Sequence, residues 1–417
     1  MLGGVEIACV AFLDDYMTPT RDARVINKVL EVLRDYGARW DVQWAVTKFR
    51  VLRFNGAKSD ISWVFDGTPV QTTERHKYLG VTHSTNKPYW TDHYSEKLGV
   101  AYFLIVRLRA VGLIGGRNTP AAALEIIRSM VWQMLDYGRA TAPSSARGHA
   151  QIRKKLEGLQ MKVLREILGL SSSSPKLAVH GEYGDLPDIW RERRKQLQIA
   201  NQMMTSDSTS LPYRVAKEAN EASPKVGLLH EVGVILTTLG EPGRTVESFR
   251  NKDEVNKWVS RAATAEWRRG VSQSTRLCDT YQVATHLRLR GYLRADFKGR
   301  QILTKLRADD LALGAASWRG RGGTTVDSCQ TCRQLNCVET RTHFVLHCSA
   351  LAKTRRAYPE ILAWIQNSRA ERAFAMILLA LPERAADDIE RATVVGAYLQ
   401  DLWSERAAIL GLNSVQL

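Results

Sequence analysis

The chain has 417 residues, 44% of them hydrophobic, and its net charge of +16 comes from 59 Lys and Arg against 43 Asp and Glu. A chain of this length can bury more than one core, so two or three domains are expected. The positive charge favours a polyanionic partner, RNA or DNA, bound with counterion release. No apolar run approaches the ~20 residues of a transmembrane helix, which excludes a membrane-spanning protein.

The N-terminal segment MLGGVEIACVAFLDD lacks a basic region and carries Glu6, so it does not resemble a signal peptide. The chain has six cysteines, and Cys9 and Cys278 lie far from the other four in sequence. This distribution argues against a disulfide framework and favours a reducing compartment. We therefore expect an intracellular protein, of the nucleus or cytoplasm, with no membrane partner.

The first elements along the chain alternate between strand and helix. An apolar run at Val5–Leu13 predicts a strand that ends in Asp14-Asp15. The spacing of Val25, Val29, Val32 and Leu33 predicts one face of a helix over Asp22–Tyr36, with Gly37 as its stop. Two further strands are predicted at Lys48–Phe54 and Tyr78–Thr82.

From about Thr91 the pattern is helical. Thr119-Pro120 predicts a capped helix that ends at Tyr137-Gly138, and a stripe of apolar residues predicts another over 150–168, with Gly169 as its stop. The segment 206–243 has weak periodicity and is rich in Ser, Thr, Gly and Pro, which predicts a loosely packed connector. Further helices are predicted at Pro187–Gln198, Val255–Trp267 and, as several short ones, across 350–412.

A cysteine- and histidine-rich window, SCQTCRQLNCVETRTHFVLHCSA, spans residues 328–350. Its spacing C-x2-C-x10-H-x4-C predicts a closed structural Zn²⁺ site formed by Cys329, Cys332, His343 and Cys348. The choice of ligands stays open at this point. Cys337 can replace a member of this set, and His347 can replace Cys348.

Phe12-Leu13-Asp14-Asp15 places two adjacent carboxylates at the end of a predicted strand. Polymerases hold two divalent ions about 3.5–4 Å apart with such carboxylates, and hard Mg²⁺ prefers these oxygen ligands. By itself, the dipeptide favours a solvated turn over a metal site. Asp309-Asp310 and Asp387-Asp388 are Asp pairs of the same kind without that context.

The order of motifs resembles the end of the reverse transcriptase of non-LTR (LINE-type) retrotransposons. The motifs shared with its palm are FLDD, a lysine-bearing strand at 48–54 and Tyr78-Leu79-Gly80. Those shared with its thumb and zinc domain are Trp90-x-x-His93, Asp136-Tyr137-Gly138, Leu159-Gln160 with Val163-Leu164-Arg165 and Leu168-Gly169, Glu182-x-Gly184, and the Cys/His module with Glu339-Thr340. The resemblance covers most of the chain, with the connector as a gap.

The resemblance implies an α+β fold, mostly α, in four parts. Residues 1–88 would be the C-terminal part of the palm, a short antiparallel sheet with a helix. Residues 89–205 would be a helical thumb and 206–254 a connector. Residues 255–417 would be a helical domain with a zinc module at about 327–350.

The resemblance also assigns roles to individual positions. Asp14 would be a catalytic Mg²⁺ ligand with Asp15 as its supporting carboxylate, and Lys48 would lie near the incoming triphosphate. Tyr78, Leu79 and Gly80 would grip the primer. The basic helices of the thumb would contact backbone phosphates through Lys154, Lys155, Arg193 and Arg194.

Several departures from the family bear on activity. The family's first catalytic aspartate and its fingers precede the Asp-Asp box, and this sequence begins too late to contain them. We therefore expect a fragment of an RNA-directed DNA polymerase that does not polymerise alone, retains zinc and nucleic-acid binding, and has an upstream reverse-transcriptase segment as a candidate partner. The alternative is a non-catalytic host protein, co-opted from such an element, that binds zinc and nucleic acid or another protein.

Overall fold

The computed structural model describes residues 10–12, 15–20, 22–54, 61–85, 90–115, 118–139, 149–222, 227–239, 241, 243–281, 287–313, 328–334, 337–366 and 385–412. Within these ranges the fold is mostly helical with a few short strands, which confirms the α+β, mostly α class. The chain divides into two compact units, the first from residues 1–103, 132–156 and 191–258, the second from 104–131, 157–190 and 259–417. The four-part division into palm, thumb, connector and zinc domain stays a prediction.

The strands belong to the first unit and form three small sheets. β1 (Val10–Phe12) and β2 (Asp15–Met17) are antiparallel, with Phe12 opposite Asp15. In the second sheet β5 (Thr68–Thr72) lies between β3 (Arg50–Val51), which is parallel to it, and β4 (Trp63–Phe65), which is antiparallel. The third is the antiparallel pair β6 (Arg75–Tyr78) and β7 (Val81–Ser84). The strand predicted over Lys48–Phe54 is therefore only two residues long, because Val46–Lys48 forms a 3₁₀ turn.

Helix α1 spans Ala23–Trp40 and packs on the three-stranded sheet. The side chain of Asp22 caps it by accepting from the backbone N–H of Arg24. The predicted stop at Gly37 is wrong, because this glycine lies inside the helix, where an added Cβ would be 2.6 Å from Nε1 of Trp44. Close packing against the indole therefore explains the glycine.

The buried face of α1 matches the predicted one only in part. Leu30 is its core residue, packed with Trp63, Phe65 and Val70, and the predicted Leu33 packs against the same cluster. Val32, also predicted on this face, is 66% exposed. The apolar spacing therefore identified a helix correctly but not the full set of residues that face the core.

The single strand predicted at Tyr78–Thr82 is only partly right, because Tyr78 ends β6, Val81 and Thr82 begin β7, and Leu79-Gly80 form the turn between these strands. Leu79 and Gly80 have φ values of 47° and 75°, as a two-residue type I′ turn requires. The hydroxyl of Tyr137 donates to the carbonyl of Leu79 at 2.7 Å. A side chain at Gly80 would be 3.2 Å from the Tyr137 ring, so this tyrosine supports the turn from outside the hairpin.

The helical part of the chain follows the predicted pattern up to the last segment, where 385–410 form one helix of 26 residues and not several short ones. Thr119 caps α3 (Pro120–Ile127) through the backbone N–H of Ala122, and α5 (His149–Leu168) ends before Gly169, whose φ is +66°. The segment predicted to be a connector contains two helices, α8 (Leu211–Ala222) and α9 (Leu228–Thr238), and Val232 and Leu236 in α9 are buried. The helices that follow α1 are α2 (Thr91–Ala110), α3 (Pro120–Ile127), α4 (Gln133–Asp136), α5 (His149–Leu168), α6 (Lys176–Tyr183), α7 (Asp188–Met204), α8 (Leu211–Ala222), α9 (Leu228–Thr238), α10 (Lys252–Ser272), α11 (Cys278–Tyr281), α12 (Arg300–Arg307), α13 (Ala352–Arg356), α14 (Pro359–Gln366) and α15 (Ala385–Leu410).

An ionic network lies in the core of the second unit, around the fully buried Glu182. Its carboxylate accepts from Tyr281 at 2.6 Å, Tyr292 at 2.8 Å and the Arg307 guanidinium at 2.7 Å. Burial opposes ionisation, but Arg307 and Arg290 lower the pKa of Glu182. Because the Glu182 carboxylate accepts from Tyr281, Tyr292 and Arg307, it keeps its negative charge in the core.

Gly184 allows the chain to close over this network. Its φ is +64°, and an added Cβ would lie 2.0 Å from the carbonyl carbon of Arg288. Nearby, the backbone N–H of Arg290 donates to the carbonyl of Glu182 at 3.1 Å. The pattern Glu182-x-Gly184 therefore has a structural reason in this chain, which is a buried charge beside a close backbone approach.

Candidate metal centre

The predicted quartet comes together in the second unit. Ligand atoms of Cys329, Cys332, His343 and Cys348 all lie within 4.8 Å of one another, so the cluster can hold a metal ion. Cys329 and Cys332 lie in one tight turn, where the backbone N–H of Cys332 faces the Cys329 sulfur at 3.5 Å. His343 begins a π-helical turn that ends at His347, and the Cys348 N–H donates to the His343 carbonyl.

The spacing of these atoms agrees with a tetrahedral zinc site. Bonds of about 2.3 Å to sulfur and 2.0 Å to nitrogen imply edges of about 3.8 Å between two sulfurs and 3.5 Å between sulfur and nitrogen. The sulfurs of Cys329 and Cys348 are 4.0 Å apart, and that of Cys332 is 3.5 Å from Nε2 of His343. The donors therefore fit the ion without rearrangement of the backbone.

Burial separates the quartet from His347 but not from Cys337, since Cys332 is half-buried as well. Cys329 and Cys348 are almost fully buried and His343 is 6% exposed, whereas His347 is exposed. His347 is therefore a poor replacement for Cys348. Cys337 is half-buried, and its sulfur lies 3.1 Å from Nδ1 and 3.8 Å from Nε2 of His343. It contacts the histidine but does not belong to the group of four.

The electrostatics of the cluster suit a cation. Burial raises the pKa of the Cys329 thiol, and burial together with the neighbouring Cys329 and Cys332 sulfurs raises the pKa of Cys348 to about 12. Burial also lowers the pKa of His343, so its imidazole is neutral at pH 7, as ligation requires. Thiolates this close together become stable only with a positive charge between them.

Glu339 anchors the module to the last long helix. Its buried carboxylate accepts two hydrogen bonds from the Arg406 guanidinium in α15, at 2.8 and 2.9 Å, and one from the Thr331 hydroxyl at 2.6 Å. Thr331 lies between the first two cysteines. The ion pair therefore fixes the cysteine turn and α15 together, and bidentate geometry makes the pair directional.

Arg341 provides a second anchor, which joins the module to residues between 276 and 309. Its guanidinium donates to Thr280, to the carbonyls of Arg276 and Leu306, and pairs with Asp309 at 3.2 Å. The sequence did not single out Arg341 or Arg406. Only Glu339 had a signal, its place beside Thr340 in the resemblance.

The predicted catalytic positions are described only in part. Asp14 lies outside the described residues, and of Asp15 only the backbone at the start of β2 is described. Lys48 ends a 3₁₀ turn and is exposed. The Tyr16 ring of β2 packs edge-on against the ring of Trp44, which precedes Lys48, with 5.7 Å between the ring centroids. The Mg²⁺ site stays a prediction.

The predicted phosphate contacts lie in the first unit. Lys154 and Lys155 are exposed on α5, and Arg193 and Arg194 are half-buried on α7. The two stretches are neighbours, because Arg153 pairs with Glu192 at 3.2 Å. Glu192 also accepts from the buried Arg139 at 2.9 Å. The fold therefore brings the two basic segments close together.

No helix within the described ranges is both long and apolar enough to cross a membrane. Compared with protein-family models, with curated proteins and with solved structures, the chain has no match. The family resemblance therefore stays a prediction that the site's chemistry has to support.

Proposed function

We propose that this chain is the C-terminal part of a non-LTR retrotransposon reverse transcriptase and that it binds zinc and nucleic acid. The observation that supports this most is the assembled Cys₃His cluster in a chain of net charge +16. A small metal-organised module gives a rigid surface, and the charge gives attraction to phosphates.

Zinc is the proposed ion because of the donor set. Three thiolates and one imidazole are soft or borderline ligands, which disfavours Mg²⁺ and Ca²⁺. Four protein ligands close the coordination sphere and leave no position for a reacting water. The zinc therefore has a structural role, which is to hold the turn at Cys329–Cys332 against His343 and Cys348.

The nucleic-acid surface is proposed around Lys154, Lys155, Arg193 and Arg194. The ion pairs of Glu192 with Arg153 and Arg139 lie next to these residues and hold their segments together. Cations on such a surface bind phosphates without reading base sequence. The turn Tyr78–Gly80 would act as primer grip, and Asp14, Asp15 and Lys48 would serve Mg²⁺-dependent polymerisation in the parent enzyme.

The test measures zinc content and RNA affinity on the full chain across a series of salt concentrations. One zinc per chain is expected, with RNA affinity that falls steeply as salt rises. Replacing Lys154, Lys155, Arg193 and Arg194 by Gln should weaken RNA binding about tenfold or more and reduce the salt slope by up to about 3 units, at ~0.7 per phosphate contact.

A matched control removes the same charge from exposed positions elsewhere in the first unit, through Gln at Lys217, Arg250, Lys252 and Lys257. If both variants lose the same affinity, the effect is net charge and the proposed surface is wrong. If the wild type holds zinc but has no RNA affinity, the co-opted interaction protein becomes the better interpretation.

A further inference from the structure

Cys337 lies against the histidine of the metal cluster although it is not a member of the quartet. Its sulfur is 3.1 Å from one ring nitrogen of His343 and 3.8 Å from the other, Nε2. These two distances place the sulfur beside the ring and not in line with the Nδ1–H bond. A hydrogen bond that orients the imidazole therefore does not explain the contact.

The position does suit a ligand that takes the place of Nε2. The sulfur lies 3.8 Å from Nε2, the ligand atom that it would replace, so the two donor atoms are neighbours at the cluster. Cys337 lies in a segment outside the helices and strands, so the side chain can turn without breaking an element. The thiol is half-buried and lies against the His343 ring.

We propose that Cys337 is a reserve ligand that exchanges with His343 on the metal ion. This rests on the proposed zinc site. In the exchange the metal–Nε2 bond breaks, a metal–sulfur bond forms, and the thiol proton passes to the released imidazole. Cys₄ and Cys₃His are both ordinary structural zinc sites, so either state is closed.

The exchange would redistribute the charge of the module without changing its net value. A thiolate in place of a neutral imidazole adds one negative charge at the metal, while the protonated His343 is freed beside it. Cys337 thus gives the site two metal-bound states that differ in charge distribution.

The experiment uses Co²⁺ alone as the probe, since its d–d and thiolate charge-transfer absorptions report the number of sulfur ligands. Wild type and Cys337→Ala should give the same spectrum, with three thiolates and one nitrogen. His343→Ala should still bind Co²⁺, within about a hundredfold of wild type, and show a four-thiolate spectrum. His343→Cys supplies the reference for that spectrum, and His347→Ala is the matched control for loss of a histidine.

The double variant His343→Ala/Cys337→Ala tests whether Cys337 supplies the fourth sulfur in His343→Ala. Loss of the four-thiolate spectrum and of tight binding in the double variant, relative to His343→Ala, is the expected result. The proposal is overturned if His343→Ala already behaves like the double variant. It is also overturned if Cys337→Ala alone loses a thiolate band, because Cys337 is then a primary ligand. Failure of the wild type to bind Co²⁺ would instead refute the metal site itself.

Discussion

The second unit contains two buried polar centres that are completed in different ways. At Glu182 the protein supplies both charges, since the carboxylate accepts from Arg307 and from two tyrosine hydroxyls. At Cys329 the described residues supply only donors for a cation. One centre is therefore complete when the chain folds, whereas the other is a set of donors that can hold an ion from solution.

Metal removal should separate the two centres and has the largest expected effect. Structural zinc contributes about 10–16 kcal/mol in small zinc modules. A chelator should therefore unfold residues 329–348 while leaving the Glu182 network intact, because that network contains no metal ligand. Hydrogen exchange should rise in peptides from 337–348 and stay low in those from 300–307. Equal protection of both regions in chelator would contradict the dependence on metal.

Gly184→Ala should damage the Glu182 centre more than any conservative change nearby. The new Cβ would meet the Arg288 backbone at 2.0 Å, and φ is +64°. The free energy of unfolding should fall by more than about 4 kcal/mol. Gly158→Ala in α5 is the control, since nothing lies within 4 Å of its Cβ position. It should gain about 0.5–1 kcal/mol, measured by urea unfolding. A loss of less than 1 kcal/mol at Gly184 would mean that the backbone moves freely there.

His180 should make the second unit sensitive to acid. Burial lowers the pKa of this fully buried imidazole from 6.5 to about 4. The folded protein therefore keeps it neutral while the unfolded chain takes a proton below pH 6.5. Stability should be complete above pH 6.5, fall by about 3 kcal/mol as pH falls towards 4, and then level off. Unfolding measured between pH 7 and 5.5 should show a shallower decline in His180→Gln. Parallel pH curves would rule out this histidine as the source.

Tyr292→Phe has the smallest expected effect. The change removes the hydrogen bond to Glu182 at 2.8 Å and the weaker contact with the Thr304 hydroxyl at 3.1 Å, while Arg307 and Tyr281 still donate to Glu182. The cost should be about 1–2 kcal/mol. Because hydrogen bonds to the ionised form hold the pKa of Glu182 low, the variant should also begin to lose stability at higher pH as acid is added. Tyr398→Phe, in the same unit, removes a hydroxyl that donates to the Val345 carbonyl. It should leave the loss of stability in acid that comes from Glu182 unchanged.

Local signals predicted part of the molecule well. Thr119 precedes a helix and caps a backbone N–H with its side chain, and Gly169 follows a helix and has a positive φ that glycine adopts easily. The Cys and His spacing is equally informative, because chelation geometry restricts which residues can meet. By contrast, Gly37 and the pair Leu79-Gly80 were misjudged. A glycine can serve close packing as well as helix ends, and a short apolar run does not show that two strands meet there in a turn supported by Tyr137.

Most helices and the Cys/His spacing could be predicted from the chain because each depends on residues close in sequence, and the positive charge follows from the composition alone. The fold was needed to show which residues of α1 face the core, that Arg406 pairs with Glu339, and that Cys337 lies against His343 while His347 is exposed. Burial and ion pairing depend on partners distant in sequence, and a local pattern does not specify which distant group becomes the partner.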